Sequence, residues 1–284
     1  MALADTEHSI ERVRSSDVEI AVRRFGKLGR TPLIVNHGLS FFSYDWIGIA
    51  AALAADRPVA AMDMRGFGES GWSAAKDYGL AAFAGDIAAV LDRFGWPQAV
   101  VVGHSMGGRN AVYFAAEQRE RAAALVLVDY TPSNAPAGSQ RIAEHVGRTP
   151  DRFPTVEAAM AYFGADPAAR QARARFDAVL ARTEDGFALK RDPYFRDQFR
   201  RILDTGERPK LGVDMWQVLG KVACPTLVLR GARSDLFGRD SVERMQAELP
   251  RFAFTEVDAG HNVAGDNPAA LLREIRAFLE QKGL

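Results

Sequence analysis

The sequence predicts an α/β chain: a mostly parallel central sheet with helices on both faces and a helical cap inserted late in the chain. Three observations carry this expectation. Short unbroken apolar runs alternate with amphipathic segments through residue 129 and again after residue 220. The alternation stops between Tyr130 and about Leu219. Finally, 48% hydrophobic and 25% charged residues in a chain of 284 is the composition of a soluble globular protein with a sizeable core. The core is therefore assigned to 1–129 and 220–284, and the cap to 130–219.

The elements follow in order. DVEIAVRRF, residues 17–25, alternates polar and apolar residues like a half-exposed strand. TPLIVNHG, RPVAAMDMRG, PQAVVVGHS, AAALVLVDY and CPTLVLRG are unbroken apolar runs, the pattern of strands buried on both faces of a parallel sheet. Cys224, the single cysteine, heads the last run and reads as a buried strand residue, which leaves no disulfide framework and no cysteine-based metal site. In LAAFAGDIAAVLDRFG the residues Leu80, Phe83, Ala84, Ile87, Val90, Leu91 and Phe94 recur at three and four, one face of a helix. Near the C-terminus, Asn267 caps and Pro268 opens a helix whose buried stripe is Leu271, Leu272, Ile275 and Phe278. Between them, PTVEAAMAYFG and ARARFDAVLARTEDG predict short helices and no strand. From Tyr130 to Lys210 there are 14 Lys and Arg against 11 Asp and Glu, read as a solvated helical surface.

Lys+Arg and Asp+Glu are both 36, with no dense basic face, so a nucleic-acid partner is not expected. The opening MALADTEHSIERVR lacks the basic-then-apolar order of a secretory signal. Apolar runs such as GIAAALAA fall far short of the roughly 18 residues that span a bilayer. These observations point to a cytoplasmic protein acting on a small molecule, without a membrane partner.

VVGHSMGGRN, residues 101–110, carries the chemistry. Gly103 and Gly107 flank Ser105 in the pattern G-x-S-x-G, between a buried strand and a helix. Such a bend lifts the hydroxyl above the carboxyl edge of the sheet, and the helix N-terminus offers amide donors to an oxyanion. A serine hydroxyl is a weak nucleophile until a base takes its proton. Of the five histidines, His261 follows the strand-like FAFTEV and a glycine, on a loop at the same edge. The acid that orients it must lie between 105 and 261 in the order Ser, Asp, His, and two candidates end strands: Asp129 closes LVLVD, and Asp235 closes LVLRGARSD.

NHGLSFFSYDW, DMRGFGESG, GHSMGG, LVLRGARSD and DAGHNV stand in the order used by the α/β-hydrolase superfamily, and the chain resembles its cap-bearing branch of esterases, lactonases and carbon–carbon bond hydrolases. The resemblance implies a catalytic set of Ser105, Asp235 and His261, because most of that family carries its acid at the later position and a minority at the earlier. It implies backbone N–H groups of Leu39 and Met106 as the oxyanion hole, Asp63 and Arg65 as residues that fix their loop, and no metal or organic cofactor. Arg109, one helical turn beyond Ser105, reads as part of a buried ion pair under the elbow, with a substrate carboxylate as the other reading. Trp46 and Trp72 either line the pocket or pack the loops. The expected function is cleavage of a small carboxylic ester or lactone through an acyl-enzyme on Ser105. Hydrolysis of a carbon–carbon bond in a ring-cleavage product, or ligand binding without catalysis, are the alternatives.

Overall fold

The computed structural model describes residues 7–27, 29–209, 211–249 and 251–284. The first six residues of the MALADT opening thus lie outside the described residues. The strands are β1 (Ser9–Ser15), β2 (Val18–Phe25), β3 (Leu33–Asn36), β4 (Val59–Met62), β5 (Ala99–His104), β6 (Ala122–Val128), β7 (Leu180–Thr183), β8 (Gly186–Leu189), β9 (Thr226–Gly231) and β10 (Phe252–Val257). Eight of them form one sheet in the order β1-β2-β4-β3-β5-β6-β9-β10. The pairs β1–β2 and β2–β4 are antiparallel, and the six strands from β4 to β10 are parallel.

Side-chain alternation explains why these strands read as continuous apolar runs. Ile34, Val101, Leu125, Leu127 and Val228 point into one core layer. Their chain neighbours Leu33, Val35, Val100, Val102, Val126 and Leu229 point into the opposite layer. The first layer is covered by α2 (Leu80–Arg93), α3 (Met106–Glu117), α8 (Met215–Leu219) and α9 (Asp240–Glu248), the second by α1 (Ile47–Leu53), the short α10 (Val263–Asp266) and α11 (Pro268–Gln281). Asn267 accepts from the Ala270 N–H at 3.1 Å and Pro268 occupies the first turn of α11. Leu272 is half-buried there, and Leu279 takes the buried place beside Phe278.

Between β6 and β9 run α4 (Pro136–Gly147), α5 (Val156–Tyr162), α6 (Arg170–Val179), the β7–β8 hairpin and α7 (Pro193–Thr205). The hairpin corrects the expectation of helices alone: ARARFDAVLARTEDG stays helical only to Val179, then turns at Glu184–Asp185 into Gly186, whose φ is 135°. Its strands have four residues each and are half-exposed, too short and too mixed to read as strands. The segment 130–219 also includes α8, whose Met215, Val218 and Leu219 pack into the sheet-covering core rather than among the cap helices. Cys224 lies two residues before β9, half-buried in a turn rather than in the strand, and burial pushes its thiol up to about 11. β1, which the sequence reading passed over, is a largely exposed edge strand that alternates charged residues with Val13 and Ser15 inward.

The loop after β4 seats the cap. Gly66 and Gly68 have φ of 81° and 58°, and the Asp63 carboxylate inside the turn accepts from the Ser43 and Glu69 N–H groups at 2.7 and 3.0 Å. The Gly68 N–H donates to the Lys190 carbonyl at 2.6 Å, and the Asp192 N–H donates to the Gly66 carbonyl at 2.7 Å. Beneath the loop, Arg65 makes a bidentate pair with Asp86, 2.7 Å on each arm, with side chains 1% and 0% exposed. Removing Asp86 would leave the buried Arg65 guanidinium with the long, 3.4 Å contact to the part-exposed Asp17 in place of its bidentate pair. Asp86→Asn should therefore lower unfolding free energy by about 3–5 kcal/mol in a denaturant titration; a loss under about 1 kcal/mol would contradict this role for the pair.

Candidate active site

Ser105 occupies the bend between β5 and α3, with φ 51° and ψ −115°, neither helical nor extended. Its N–H donates to the Val128 carbonyl at 3.1 Å and its carbonyl accepts from the Arg109 N–H at 3.1 Å, so strand and helix both hold the strained residue. The flanking glycines answer to crowding. A Cβ on Gly103 would lie 2.5 Å from the Gly107 carbonyl oxygen, and one on Gly107 would lie 2.4 Å from the Asn36 carbonyl oxygen. Only bare backbone lets α3 start this close to β3 and β5.

Three strand ends meet at the hydroxyl. The Ser105 Oγ is 3.0 Å from His261 Nε2, and His261 Nδ1 is 2.6 Å from Asp129 Oδ2. The side chain of Asp129 is fully buried and that of His261 is 11% exposed. Asp129 ends β6 with φ 46°, a left-handed conformation that directs its carboxylate toward the neighbouring strand ends. The Gly231 N–H donates to its Oδ1 at 2.8 Å and the Ser234 hydroxyl donates to its Oδ2 at 2.5 Å. With both oxygens bonded, the carboxylate has one orientation.

Among the described residues it is Asp129, and not Asp235, the acid implied by the resemblance, that hydrogen-bonds His261. The Asp235 carboxylate faces the cap, where Arg141 of α4 grips it with Nε at 2.6 Å and Nη2 at 2.7 Å. That guanidinium holds the Asp235 carboxyl below the usual range. Asp235 ties the cap to the core, and its neighbour Ser234 is the residue that turns inward to Asp129.

Further residues hold the site. The His104 ring donates from Nε2 to the His261 carbonyl at 2.9 Å and lies 4.8 Å from the His261 ring. Burial pulls its pKa down to about 3, so it stays a neutral donor. His37, also buried, donates from Nδ1 to the Gly38 carbonyl at 2.8 Å and accepts the Met64 N–H at Nε2, 3.0 Å away, which stiffens the loop that carries Leu39. Neither histidine has a role that follows from the sequence alone; their places in NHG and GHS, beside the two candidate oxyanion donors, are the signal it carries.

Leu39 and Met106 both line a cavity of about 520 Å³ that also contains Ser105, Asp129 and His261. Met106 opens α3, so its N–H has no acceptor within the helix. The roof comes from the cap, including Ile142 of α4 and Tyr194, Phe199 and Ile202 of α7. Trp46 is a buried core residue and Trp72 is 48% exposed; neither lines the cavity. Arg109 does line it, and the expected ion pair under the elbow is absent among the described residues: its Nε and Nη2 reach only the side-chain oxygen of Asn110, at 3.3 Å. No group of three or more His, Cys, Asp or Glu among the described residues is arranged to hold a metal ion. No helix among them is long and apolar enough to cross a membrane.

Residues 31–268 match the family model of the alpha/beta hydrolase fold. The 3-hydroxybutyrate-oligomer hydrolase of Cupriavidus necator is 31% identical over 84% of this chain and 85% of its own length. Esterase YbfF of Escherichia coli is 28% identical over 88% of this chain and 93% of its own. Among solved structures, that of E-2-(acetamidomethylene)succinate hydrolase superposes with a TM-score of 0.84 at 24% identity, over 96% of this chain and 100% of the other, a likeness of fold. A match over most of the chain, a sheet with this strand order and a cavity at the carboxyl ends of its strands agree: the chain belongs to the α/β-hydrolase fold family and is a hydrolase.

Proposed function

We propose that the protein is a serine hydrolase that cleaves a small carboxylic ester or lactone through an acyl-enzyme on Ser105, with His261 as base and Asp129 as the orienting acid. The observation that carries this reading is the unbroken chain Ser105 Oγ, His261 Nε2 and Nδ1, Asp129 Oδ2, at 3.0 and 2.6 Å. The names of the relatives, an oligomer hydrolase and an esterase, lend it support.

In the forward step His261 Nε2 takes the Ser105 proton as Oγ attacks the ester carbonyl, and Asp129 stabilises the imidazolium. The carbonyl oxygen becomes an oxyanion between the N–H groups of Leu39 and Met106, beside the positive end of α3. Collapse expels the alkoxide, which takes the proton from His261 and leaves as alcohol. Water then gives its proton to the same nitrogen, attacks the acyl carbon, and the acid departs as Ser105 regains its proton.

The choice of acid is testable with two isosteric changes. Asp129→Asn keeps the shape but offers His261 an amide, and kcat on 4-nitrophenyl acetate should fall on the order of 10⁴-fold. Asp235→Asn loses a surface contact to Arg141 and should cost less than about tenfold. The reverse ranking would return the acid to the later strand. The ring that holds the His261 loop gives a second test: nitrogen-15 spectra should show His104 as the neutral Nε2–H tautomer down to about pH 5, since its folded pKa is pulled to about 3. Titration of His104 between pH 6 and 7 would contradict this assignment.

A further inference from the structure

Among the described residues, the cavity contains a guanidinium with no counter-ion. Arg109 stands in the first turn of α3 and lines the same cavity as Ser105. Its side-chain hydrogen bonds among the described residues go to one neutral oxygen, that of Asn110, with long arms of 3.3 Å. Burial pulls its pKa down, and the ionisable group acting on it is the phenol of Tyr130 rather than a carboxylate. The other charged residues of the cavity wall are accounted for: Lys76 pairs with Asp192 at 2.8 Å, Asp129 pairs with His261, and Asp77 and Arg208 are exposed.

Beside Arg109 is a second unsatisfied group. Tyr130 follows Asp129, is 6% exposed, and its buried hydroxyl has no hydrogen-bond partner among the described residues. Its Cβ and the root of its ring pack against Gly108, where an added Cβ would lie 2.6 Å from the Tyr130 Cβ; Tyr130 and Arg109 line the same cavity, close enough for the phenol and the guanidinium to act on each other electrostatically. Burial raises the phenol's pKa, so it keeps its proton and remains a donor.

An unpaired cation and an orphaned hydroxyl in a half-dry pocket are each costly, and both are relieved by one anion. A guanidinium fork matches the two oxygens of a carboxylate in plane, and a phenol can donate to a remaining lone pair. A single uncompensated positive charge fits a monoanion better than the nearly doubly charged phosphomonoester. We propose that Arg109 and Tyr130 anchor a free carboxylate of the substrate, so that the preferred substrates are esters bearing a second, ionised carboxyl group. This inference rests on the ester-hydrolase reading of the same cavity. Arg109 and Tyr130 are specificity-determining residues here, acting on binding away from the scissile bond.

Binding separates the two claims. In a Ser105→Ala background, titration calorimetry would compare methyl hydrogen adipate with dimethyl adipate, which places the carboxylate on the acyl side, and 4-acetoxybenzoate with its methyl ester, which places it on the alcohol side. In at least one pair the acid should bind tenfold or more tightly than the neutral ester. Arg109→Gln in that background should erase the difference, and Tyr130→Phe, which removes only the hydroxyl, should reduce it severalfold. Equal affinities within both pairs, or a preference that survives Arg109→Gln or is untouched by Tyr130→Phe, would overturn the carboxylate anchor. Turnover of 4-nitrophenyl acetate by the protein with Ser105 intact is the separate readout. Binding preference without turnover would sink the hydrolase mechanism and keep the anchor; turnover without preference would do the opposite.

Discussion

The site depends on one backbone constraint: two adjacent parallel strands each end in a non-glycine residue with positive φ. β5 and β6 are in register so that His104 pairs with Val128, and the next residues along are Ser105 and Asp129, with φ of 51° and 46°. Neighbouring strands lie about 4.8 Å apart. The two bends lift a hydroxyl and a carboxylate from adjacent strand ends to the same height, and one imidazole from the loop after β10 bridges them. Backbone in such regions costs of order 1–3 kcal/mol per residue, so the surroundings must impose it. Here they do so through the Ser105 N–H on Val128, the Asp129 N–H on Leu229 at 2.7 Å, and the close approach of backbone at Gly103 and Gly107.

The cap is fixed to this edge rather than merely laid over it. Main-chain hydrogen bonds join residues 66–68 to 190–192, Arg141 clamps Asp235, and Arg175 of α6 pairs with Asp45 at 2.5 Å. Phe195 and Val179 of the cap share an apolar cluster with Phe42, Met64, Phe67 and Phe83 of the core. A substrate therefore meets a pocket whose floor is the strand ends and whose roof is α4 and α7. A bound substrate would displace water from both, which would strengthen the electrostatics at the N–H groups of Leu39 and Met106 and at Arg109 alike.

What was legible in the sequence follows from the same physics. Strands buried on both faces leave no room for polar residues, so β3, β5, β6 and β9 announced themselves, and the elbow was readable because its crowding demands glycine at 103 and 107. β1 and the β7–β8 hairpin lie where one face meets water, and their mixed composition carries no such signal. The choice between Asp129 and Asp235 was not legible. Both follow apolar strands, and what separates them is a backbone dihedral at 129 and a salt bridge from Asp235 to Arg141, 94 residues away in sequence. That Arg109 has no acid partner among the described residues was equally hidden, since an ion pair beneath the elbow depends on which acids the fold brings near.

An acyl-enzyme mechanism requires that Ser105 become covalently acylated. Mass spectrometry of the protein quenched during turnover of a slowly deacylating activated ester, followed by peptide mapping, tests it most directly. One acyl group per chain is expected, on the peptide that contains Ser105, and none in Ser105→Ala. Turnover with no acyl adduct, or an adduct mapped to another residue, would contradict it.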